Sequence, residues 1–272
     1  MSHTLTTELR SGQLPPAGAA FPAPALIAHR GAARDAPENT LAAFNLAWQQ
    51  GADGIEGDFH LTRDGEIVCI HDAVTSRTAG LARKVAEATL AELRELDVGS
   101  WKGQQWRGMR IPTLDEVLAT VPAGKQVFIE VKCGPAILPA LEAALAASGL
   151  QSGQAIVISF DARVVEEAKR LLPRTKALWL TDFESGTKTG VRPSANEILE
   201  TLEKIGANGV DCRSHWAVDE QFMETLRSAQ KEVHIWTMDN VFVAKRYLQL
   251  GADSLTSNRA GWLKRQLSGE TA

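Results

Sequence analysis

Two short segments of the sequence carry charged side chains at alternate positions. Glu56 and Asp58 form one pair, and Glu130 and Lys132 form the other. Side chains two positions apart on a β-strand point to the same face, so each pair would face one centre if both segments are strands. Three carboxylates that share a centre repel one another unless a cation neutralises them, and an all-oxygen ligand set suits Mg2+ or Ca2+ better than Zn2+. We therefore predict that Glu56, Asp58 and Glu130 bind one divalent cation, Mg2+ or Ca2+.

A structural role for the same charges is the alternative. Barrel interiors sometimes hold salt-bridged polar layers, and Lys132 could simply pair with Glu130. The charged group would then serve the core, because buried charges are tolerated when they are paired.

Two histidines complete the candidate site. His29 ends a β-rich run and is followed by Arg30, and His71 ends a segment that would return beside the end of the strand that carries Asp58. Histidine titrates near neutral pH, so a pair of histidines can supply one general base and one general acid. A lone histidine at a strand end is more often a hydrogen-bonded core residue, and the argument for His29 depends on its charged neighbours. We predict that His29 and His71 are the acid/base pair.

The elements that must position these side chains alternate between strand and helix. Apolar residues recur at helical spacing after most of the β-rich runs, as at Leu41, Phe44 and Trp48. Eight such units predict a (β/α)8 TIM barrel, in which the reactive groups lie at the C-terminal ends of the strands. The predicted strands are residues 26–29, 54–58, 127–132, 155–160, 176–180, 208–212, 233–237 and 253–257.

Two further signals lie between the second and third predicted barrel strands. Asp64-Gly65 predicts a tight turn. A tight turn cannot join parallel neighbours, so residues 67–70 should form an antiparallel extension of the second strand. We interpret the following residues, about 72–109, as a small inserted cap. Thr113 and Glu116 have the spacing of a capping box, so the next helix should begin at Thr113.

Length and composition set the remaining bounds. The 272 residues are 44% hydrophobic, which is enough for a large core. We assign the barrel domain to residues 25–268 and a flexible N-terminal arm to residues 1–24. The three cysteines are expected to be buried reduced thiols, because they have no metal-ligand spacing. They are Cys69, Cys133 and Cys212.

Charge and hydropathy exclude several partners. A net charge of -4 gives no general attraction for nucleic acid or an anionic membrane. No segment approaches the ~20 apolar residues of a membrane-spanning helix, and residues 1–25 lack the pattern of an export signal. We expect a cytoplasmic protein that acts on a small molecule; its oligomeric state is left open.

A longer series of motifs resembles the glycerophosphodiester phosphodiesterase family over nearly the whole chain after Pro24. A series of this length is more specific than any single motif. In chain order the main motifs are His29-Arg30-Gly31, Pro37-Glu38-Asn39-Thr40, Glu56-x-Asp58, Leu61-Thr62-x-Asp64-Gly65, His71-Asp72, Arg77-Thr78, Gly99-Ser100-Trp101, Ile111-Pro112-Thr113-Leu114, Ile129-Glu130-Val131-Lys132, Ser159-Phe160 and Trp236-Thr237.

The resemblance implies hydrolysis of a glycerophosphodiester to an alcohol and sn-glycerol 3-phosphate. It gives the carboxylates and histidines the roles predicted above, and it adds Arg30 and Lys132 as the residues that hold the phosphoryl oxygens. In the family, the neighbouring glycerol hydroxyl is thought to attack phosphorus, and water then opens the cyclic phosphate. This route needs no protein nucleophile, and the sequence has no Gly-x-Ser-x-Gly elbow.

Aromatic residues at predicted strand ends could line the pocket for the leaving group. We assign Trp236 and Phe160 to substrate binding. For each of Trp179 and Trp216 a place in the pocket and a place in the core are equally expected, since aromatic residues at such positions are often simply buried.

Two other histidines are near the predicted site. His60 shares the face of Asp58, but we expect it to contact solvent on the hairpin. His215 follows the sixth strand and is a candidate for substrate contact.

The sequence departs from the family pattern at two strand ends. Ser257-Asn258 stands where relatives commonly have Thr-Asp, and Asp239 stands where they commonly have Asn. We expect these departures to affect the shape and charge of the leaving-group pocket and not the metal centre.

Two other functions are compatible with the same residues. A lysophospholipase D would use this site on lysophospholipids, and a longer apolar groove under the cap would favour it. A barrel that only binds phosphodiesters is the third interpretation, but a binding site has no need for a matched acid/base pair.

Overall fold

The computed structural model of the chain describes residues 23–187 and 190–269. The predicted arm, residues 1–24, lies almost wholly outside the described residues. Within them the strands are β1 (Ala25–Ala28), β2 (Gly54–Leu61), β3 (Ile67–Cys69), β4 (Gln126–Val131), β5 (Ala155–Ser159), β6 (Lys176–Thr181), β7 (Glu184–Thr187), β8 (Gly190–Arg192), β9 (Gly209–Arg213), β10 (Glu232–Trp236) and β11 (Ser254–Ser257).

Eight of these strands form a closed parallel barrel. Their order is β1, β11, β10, β9, β6, β5, β4, β2, and β2 pairs with β1 to close the ring. The predicted (β/α)8 fold is therefore confirmed. Seven barrel strands begin and end within one residue of the prediction, whereas β2 runs on to Leu61 because its end pairs with β3.

Helices follow the barrel strands and cover them from outside. Each of the larger helices buries an apolar stripe against the sheet, as α1 does with Ala43, Phe44 and Ala47. The helices are α1 (Leu41–Gln49), α2 (Ser76–Ala79), α3 (Leu90–Arg94), α4 (Leu114–Leu118), α5 (Leu138–Ala147), α6 (Ala162–Leu171), α7 (Ala195–Lys204), α8 (Glu220–Ser228), α9 (Val241–Leu250) and α10 (Ala260–Ser268). None of the helices in the described ranges has the length and apolar character needed to cross a membrane.

Side-chain hydrogen bonds fix the starts of two helices beside the candidate site. Thr113 accepts from the backbone N–H of Glu116, and the Glu116 carboxylate accepts from the backbone N–H of Thr113, so the predicted capping box is present. Thr40 accepts from the backbone N–H of Ala43 and sets the start of α1, directly after the loop that follows β1.

The apolar residues form three clusters. The largest lies between the strands and the outer helices, and a second, with Ile27, Phe128 and Leu178, fills the barrel. The third belongs to the cap and to β3, with Val68, Leu93 and others at its centre. The cap therefore has an apolar interior of its own.

A polar pair interrupts the apolar filling of the barrel. His234 on β10 is buried, with Nδ1 2.7 Å from the Ser254 hydroxyl and Nε2 3.3 Å from the Glu232 carboxylate. Asp211, its neighbour on β9, is also buried, and no described residue forms a hydrogen bond with its Oδ1. Burial raises the pKa of Asp211 to about 6, although the charge of His234 opposes this shift.

The predicted hairpin and cap follow β2. β3 pairs antiparallel with the end of β2, with Leu61 opposite Ile67. The cap then folds over the same end of the barrel, where the Lys102 ammonium donates to the carbonyl of Ala33 (2.7 Å) in the loop after β1. A second short hairpin, β7 with β8, follows β6 and was not predicted.

The cysteine prediction is only partly correct. Cys69 and Cys212 are buried thiols, but Cys133 is partly exposed. It lies just after the end of β4, where the chain leaves the sheet and fewer neighbours cover it.

Candidate active site

Neighbouring strands bring the three predicted carboxylates together. Asp58 on β2 is in register with Glu130 on β4, and Glu56 is two residues earlier on β2, on the same face. All three side chains are buried, and one oxygen of each lies within 4.8 Å of the others. No other such group of three is found in the described part of the chain.

A basic pair and an amide surround Asp58. Its Oδ2 accepts a hydrogen bond from Asn39 Nδ2 (2.7 Å) and lies 3.2 Å from Arg30 Nε. The ammonium of Lys132 is 3.6 Å from the other oxygen. Burial alone would raise the pKa of Asp58, but Arg30 and Lys132 hold it below its ordinary value.

The pairing of Lys132 with Glu130 is also present. Lys132 Nζ donates to Glu130 Oε1 at 2.7 Å, as the structural alternative required. Glu56 is different. Within the described ranges its Oε2 accepts only from the backbone N–H of Arg30 (2.8 Å), and its buried Oε1 has no hydrogen-bond partner. A salt-bridged layer therefore accounts for Glu130 but not for Glu56.

The three carboxyl groups differ in the direction in which their surroundings shift the pKa. Burial, and then repulsion from Asp58 and Glu130, raises the pKa of Glu56 well above its ordinary range. Burial and repulsion from Asp58 raise the pKa of Glu130 to about 7. Two of the three groups thus resist ionisation unless further positive charge is supplied.

These features fit a bound divalent cation. Glu56 Oε1 and Asp58 Oδ1 are buried oxygens that have no hydrogen-bond partner among the residues described, and a cation that binds oxygen ligands would satisfy both. The excess negative charge of the cluster also favours a bound cation, because an ionised carboxylate without a partner is costly to bury. The three carboxylates are the residues that could hold it.

His29 follows β1 and faces the carboxylates. Its Nε2 is 4.0 Å from Glu56 Oε2, and its Nδ1 is 2.8 Å from Asn258 Oδ1. Burial, assisted by the positive charge of Arg30, lowers the pKa of His29. The neutral ring is therefore favoured, and a neutral imidazole can accept a proton.

The loop after β1 has little conformational freedom. Arg30 and Gly31 both have positive φ angles, of 54° and 77°. A side chain on Gly31 would place its Cβ 2.6 Å from the backbone of Ala43 in the first turn of α1. Only glycine permits this close approach. In this conformation of the loop the backbone N–H of Arg30 points towards Glu56.

His71 follows β3 and belongs to a second charged network. Its Nδ1 donates to Asp72 Oδ1 (2.7 Å), and Arg77 Nε donates to the other oxygen of Asp72 (2.6 Å). Arg77 also donates two hydrogen bonds to Glu38, whose Oε1 accepts from Arg30 as well. Glu38 thus connects Arg30, in the loop after β1, with Arg77 of the cap. The surroundings of His29 and His71 are linked through this carboxylate.

The predicted aromatic residues lie at the same end of the barrel. Phe160 and Trp236 are in edge-to-face contact, with ring centroids 5.8 Å apart. Trp179 donates to the carbonyl of Phe160 and is partly buried, whereas Trp216 is 70% exposed. A separate surface cavity of about 690 Å3, lined by Asp219 and neighbouring residues, includes none of the predicted site residues.

The expectation for His60 was wrong. The side chain is buried, because β3 and the start of the cap cover it, and its Nε2 is 3.1 Å from the carbonyl of His71. His215 lies in the loop after β9, where its ring stacks on Phe183 at 5.0 Å.

Sequence reasoning gave no role to several residues that contact the site. Asn39, Glu38, Asp72 and Arg77 stood in the quoted motifs, and this was the only signal for them. The two departures were expected near the leaving group. Instead Asn258 contacts His29 directly, and its Nδ2 donates to Asp239 (2.7 Å).

Comparison with known proteins gives the family of the chain. The model of the glycerophosphoryl diester phosphodiesterase family matches residues 29–261. The Bacillus subtilis protein YhdW is 33% identical over 238 residues, which cover 86% of this chain and 93% of YhdW. A glycerophosphodiester phosphodiesterase of the same organism is 30% identical over 249 residues, 85% of this chain and 82% of that protein.

A solved structure extends the likeness to the fold. The phosphodiesterase of Oleispira antarctica, solved in complex with the product sn-glycerol-3-phosphate, has a TM-score of 0.79 and 28% identity, with 90% of this chain and 97% of that chain covered. The family match spans most of the chain and includes the strand ends that carry the carboxylates. The chain therefore belongs to the glycerophosphoryl diester phosphodiesterase family and is a phosphoric diester hydrolase.

Proposed function

We propose that the protein hydrolyses glycerophosphodiesters to an alcohol and sn-glycerol 3-phosphate in a reaction that depends on one divalent cation, Mg2+ or Ca2+. Glu56, Asp58 and Glu130 would hold the cation. The observation that carries this proposal is the buried Glu56 carboxylate. One of its oxygens has no hydrogen-bond partner in the part of the chain that the structure describes, and two other carboxylates lie beside it.

When bound, the cation would polarise the phosphoryl group and offset its developing charge. Arg30 and Lys132 would add positive charge on either side of Asp58, 3.2 Å and 3.6 Å from its oxygens. Because Lys132 also pairs with Glu130, its ammonium is already oriented before a phosphodiester arrives. These two residues are the proposed contacts of the phosphoryl oxygens.

His29 and His71 would move the protons. In the first half of the reaction the glycerol hydroxyl next to the diester attacks phosphorus, and one imidazole accepts its proton. The bond from phosphorus to the leaving alcohol breaks, and the other imidazole donates a proton to that oxygen. Water then opens the cyclic phosphate with the roles of the two rings reversed. No covalent bond to the protein forms.

The substrate class follows from the relatives. The Oleispira antarctica phosphodiesterase was solved with sn-glycerol-3-phosphate, and we propose the same product here. Phe160 and Trp236, in mutual contact beside this site, would bind the leaving group. The cytoplasmic location stays a prediction, which cell fractionation would test.

A lysophospholipase D activity is the second candidate, and one observation favours it. In the described part of the chain, the exposed large hydrophobic side chains all lie on segments that follow the C-terminal ends of strands. They are Leu81, Trp101, Phe160, Trp216, Phe242 and Val243. An acyl chain could contact exposed side chains of this kind, because aromatic side chains favour contact with lipid at an aqueous boundary.

An assay of the purified protein would test the proposal. The substrates are glycerophosphocholine, glycerophosphoethanolamine, glycerophosphoglycerol and lysophosphatidylcholine, each with chelator and with Mg2+ or Ca2+ added back. We expect turnover of the deacylated diesters that disappears with chelator and returns with cation. Full turnover in excess chelator would exclude the metal, and turnover of lysophosphatidylcholine alone would favour the second candidate. Binding of every diester without turnover would leave only the binding barrel.

A further inference from the structure

Asn258 contacts His29 and Asp239 contacts Asn258, and no hydrogen bond or ion pair seen in the described residues joins either of them to the carboxylate cluster. Asn258, just after β11, accepts at Oδ1 the hydrogen bond from His29 Nδ1 (2.8 Å). Its Nδ2 donates to Oδ2 of Asp239, 2.7 Å away in the loop after β10. The closure of the barrel places β11 next to β1, and for this reason the three residues meet.

The carboxylate of Asp239 determines which way the Asn258 amide faces. Its Oδ1 accepts from the Ser257 hydroxyl (2.8 Å) and from the backbone N–H of Asn258 (2.9 Å), so every group around it is a donor. If the amide were reversed, the amide oxygen would face this carboxylate and two acceptors would repel. The amide oxygen must therefore face His29.

This orientation determines where the proton of the neutral imidazole resides. An amide oxygen can only accept, so the proton is on Nδ1. Nε2 then carries the lone pair, and it is the nitrogen that faces Glu56 across 4.0 Å. A ring with its proton on Nε2 could not accept a proton at the site.

We propose that Asn258 and Asp239 form a positioning pair, which keeps His29 in the tautomer and orientation that make its Nε2 the proton acceptor in the reaction. The assignment rests on the proposed function, because it presumes that His29 takes part in proton transfer. Neither residue touches the substrate in this scheme, so the pair acts on the rate through His29.

Three variants and one control test the pair. Asn258→Ala removes the acceptor, and Asp239→Asn removes the carboxylate that orients the amide. The double variant Asp239→Asn with Asn258→Asp exchanges the two groups, so that a carboxylate accepts from His29 and an amide behind it donates to that carboxylate. Asp35→Asn is the matched control, because Asp35 is exposed in the loop after β1 and its carboxylate bonds only to Gln50 among the interactions described.

Two readouts distinguish positioning from a structural role. The first is the tautomer of His29 in the metal-free protein, read from the 15N shifts of its ring nitrogens by NMR. The second is the separation of kcat from KM on glycerophosphocholine with cation present. We expect the proton on Nδ1 in the wild type, the control and the double variant, and a mixture of tautomers in the two single variants.

The rates should follow the tautomer. For the single variants we expect kcat to fall by roughly 10- to 100-fold, the range found when the orienting partner of a metal-binding histidine is removed, with little change in KM. The double variant should recover most of this loss. Unchanged tautomer and kcat in Asn258→Ala, or a higher KM as the main effect, would overturn the proposal. A wild-type protein that turns over no diester would instead refute the proposed function, and the NMR result would still stand.

Discussion

Nε2 of His29 and Oε2 of Glu56 are 4.0 Å apart. The proposed proton carrier and the proposed cation ligand therefore face the same small volume. They lie on neighbouring strand ends and are held by different partners, so substitutions should separate the two roles.

Glu56→Gln should abolish tight cation binding and leave the barrel folded. The variant loses a charged ligand, while the metal-free protein is relieved of a carboxyl group that is costly to ionise. Mg2+ or Ca2+ should raise the Tm of the wild type but not that of the variant, since a ligand stabilises only the fold that binds it. Glu142→Gln, at an exposed position on α5, is the control. If Glu56→Gln unfolds the protein and no cation stabilises the wild type, the carboxylates are structural.

His29→Ala and His71→Ala should differ in their dependence on the leaving group. An alkoxide of high pKa cannot leave without a proton, whereas a nitrophenolate can. The variant that lacks the general acid, His71→Ala in our assignment, should therefore be rescued on a glycerol nitrophenyl diester, while His29→Ala stays slow on every glycerophosphodiester. Each loss should be ~10²- to 10⁴-fold on a poor leaving group. Equal losses on good and poor leaving groups would mean that one ring only orients the site.

Asp211 should make the protein less stable as the pH rises. Its pKa is about 6 in the folded protein against an ordinary value of 3.8, so the folded state binds more protons between these two values. Its contribution to the free energy of unfolding is therefore greatest below this range and falls as the pH rises through it. Above the range the protein is less stable by about 3 kcal/mol than it would be with Asp211 protonated in both states. In Asp211→Asn the free energy of unfolding, measured with denaturant, should fall less between pH 4 and pH 6 than in the wild type. The range is set by those two pKa values. Identical slopes for wild type and variant would contradict this assignment.

Trp101 and Trp106 in the cap should affect substrate choice more than chemistry. Trp101 is 44% exposed, and its indole donates to the carbonyl of Val98, which holds the ring at the surface of the cap. Replacement of both residues by alanine should change the ratio of kcat/KM between glycerophosphocholine and lysophosphatidylcholine, with a smaller effect on glycerol nitrophenyl phosphate, a small activated diester that keeps the attacking hydroxyl. A uniform loss on all three substrates would show that the tryptophans support the fold of the cap.

The carboxylate cluster could be predicted because it depends on short-range rules. Alternation along a strand puts Glu56 and Asp58 on one face, and the parallel pairing of β2 with β4 brings Glu130 beside them. The hairpin could be predicted for the same reason, since a two-residue turn dictates antiparallel return.

Contacts that depend on barrel closure could not be predicted in this way. Asn258 is 229 positions from His29, and nothing in the local sequence of either residue indicates that they meet. The burial of His60 depends on how the cap folds over β2, which is a tertiary effect. Asp239 and Asn258 were noticed only as departures from a pattern, and their role becomes visible once β11 lies against β1.

The separate apolar interior of the cap has an evolutionary consequence. Leu93 and its neighbours enclose a cluster seated on β3, while the strand ends that carry the carboxylates are supported by the barrel's own clusters. Mutations inside this cluster that leave the contacts of the cap with β2, β3 and the loop after β1 in place can therefore accumulate with little effect on the barrel strands. A lineage could acquire new head-group preferences by exchanging this one segment, and grafted caps from relatives offer a direct way to retrace such a history.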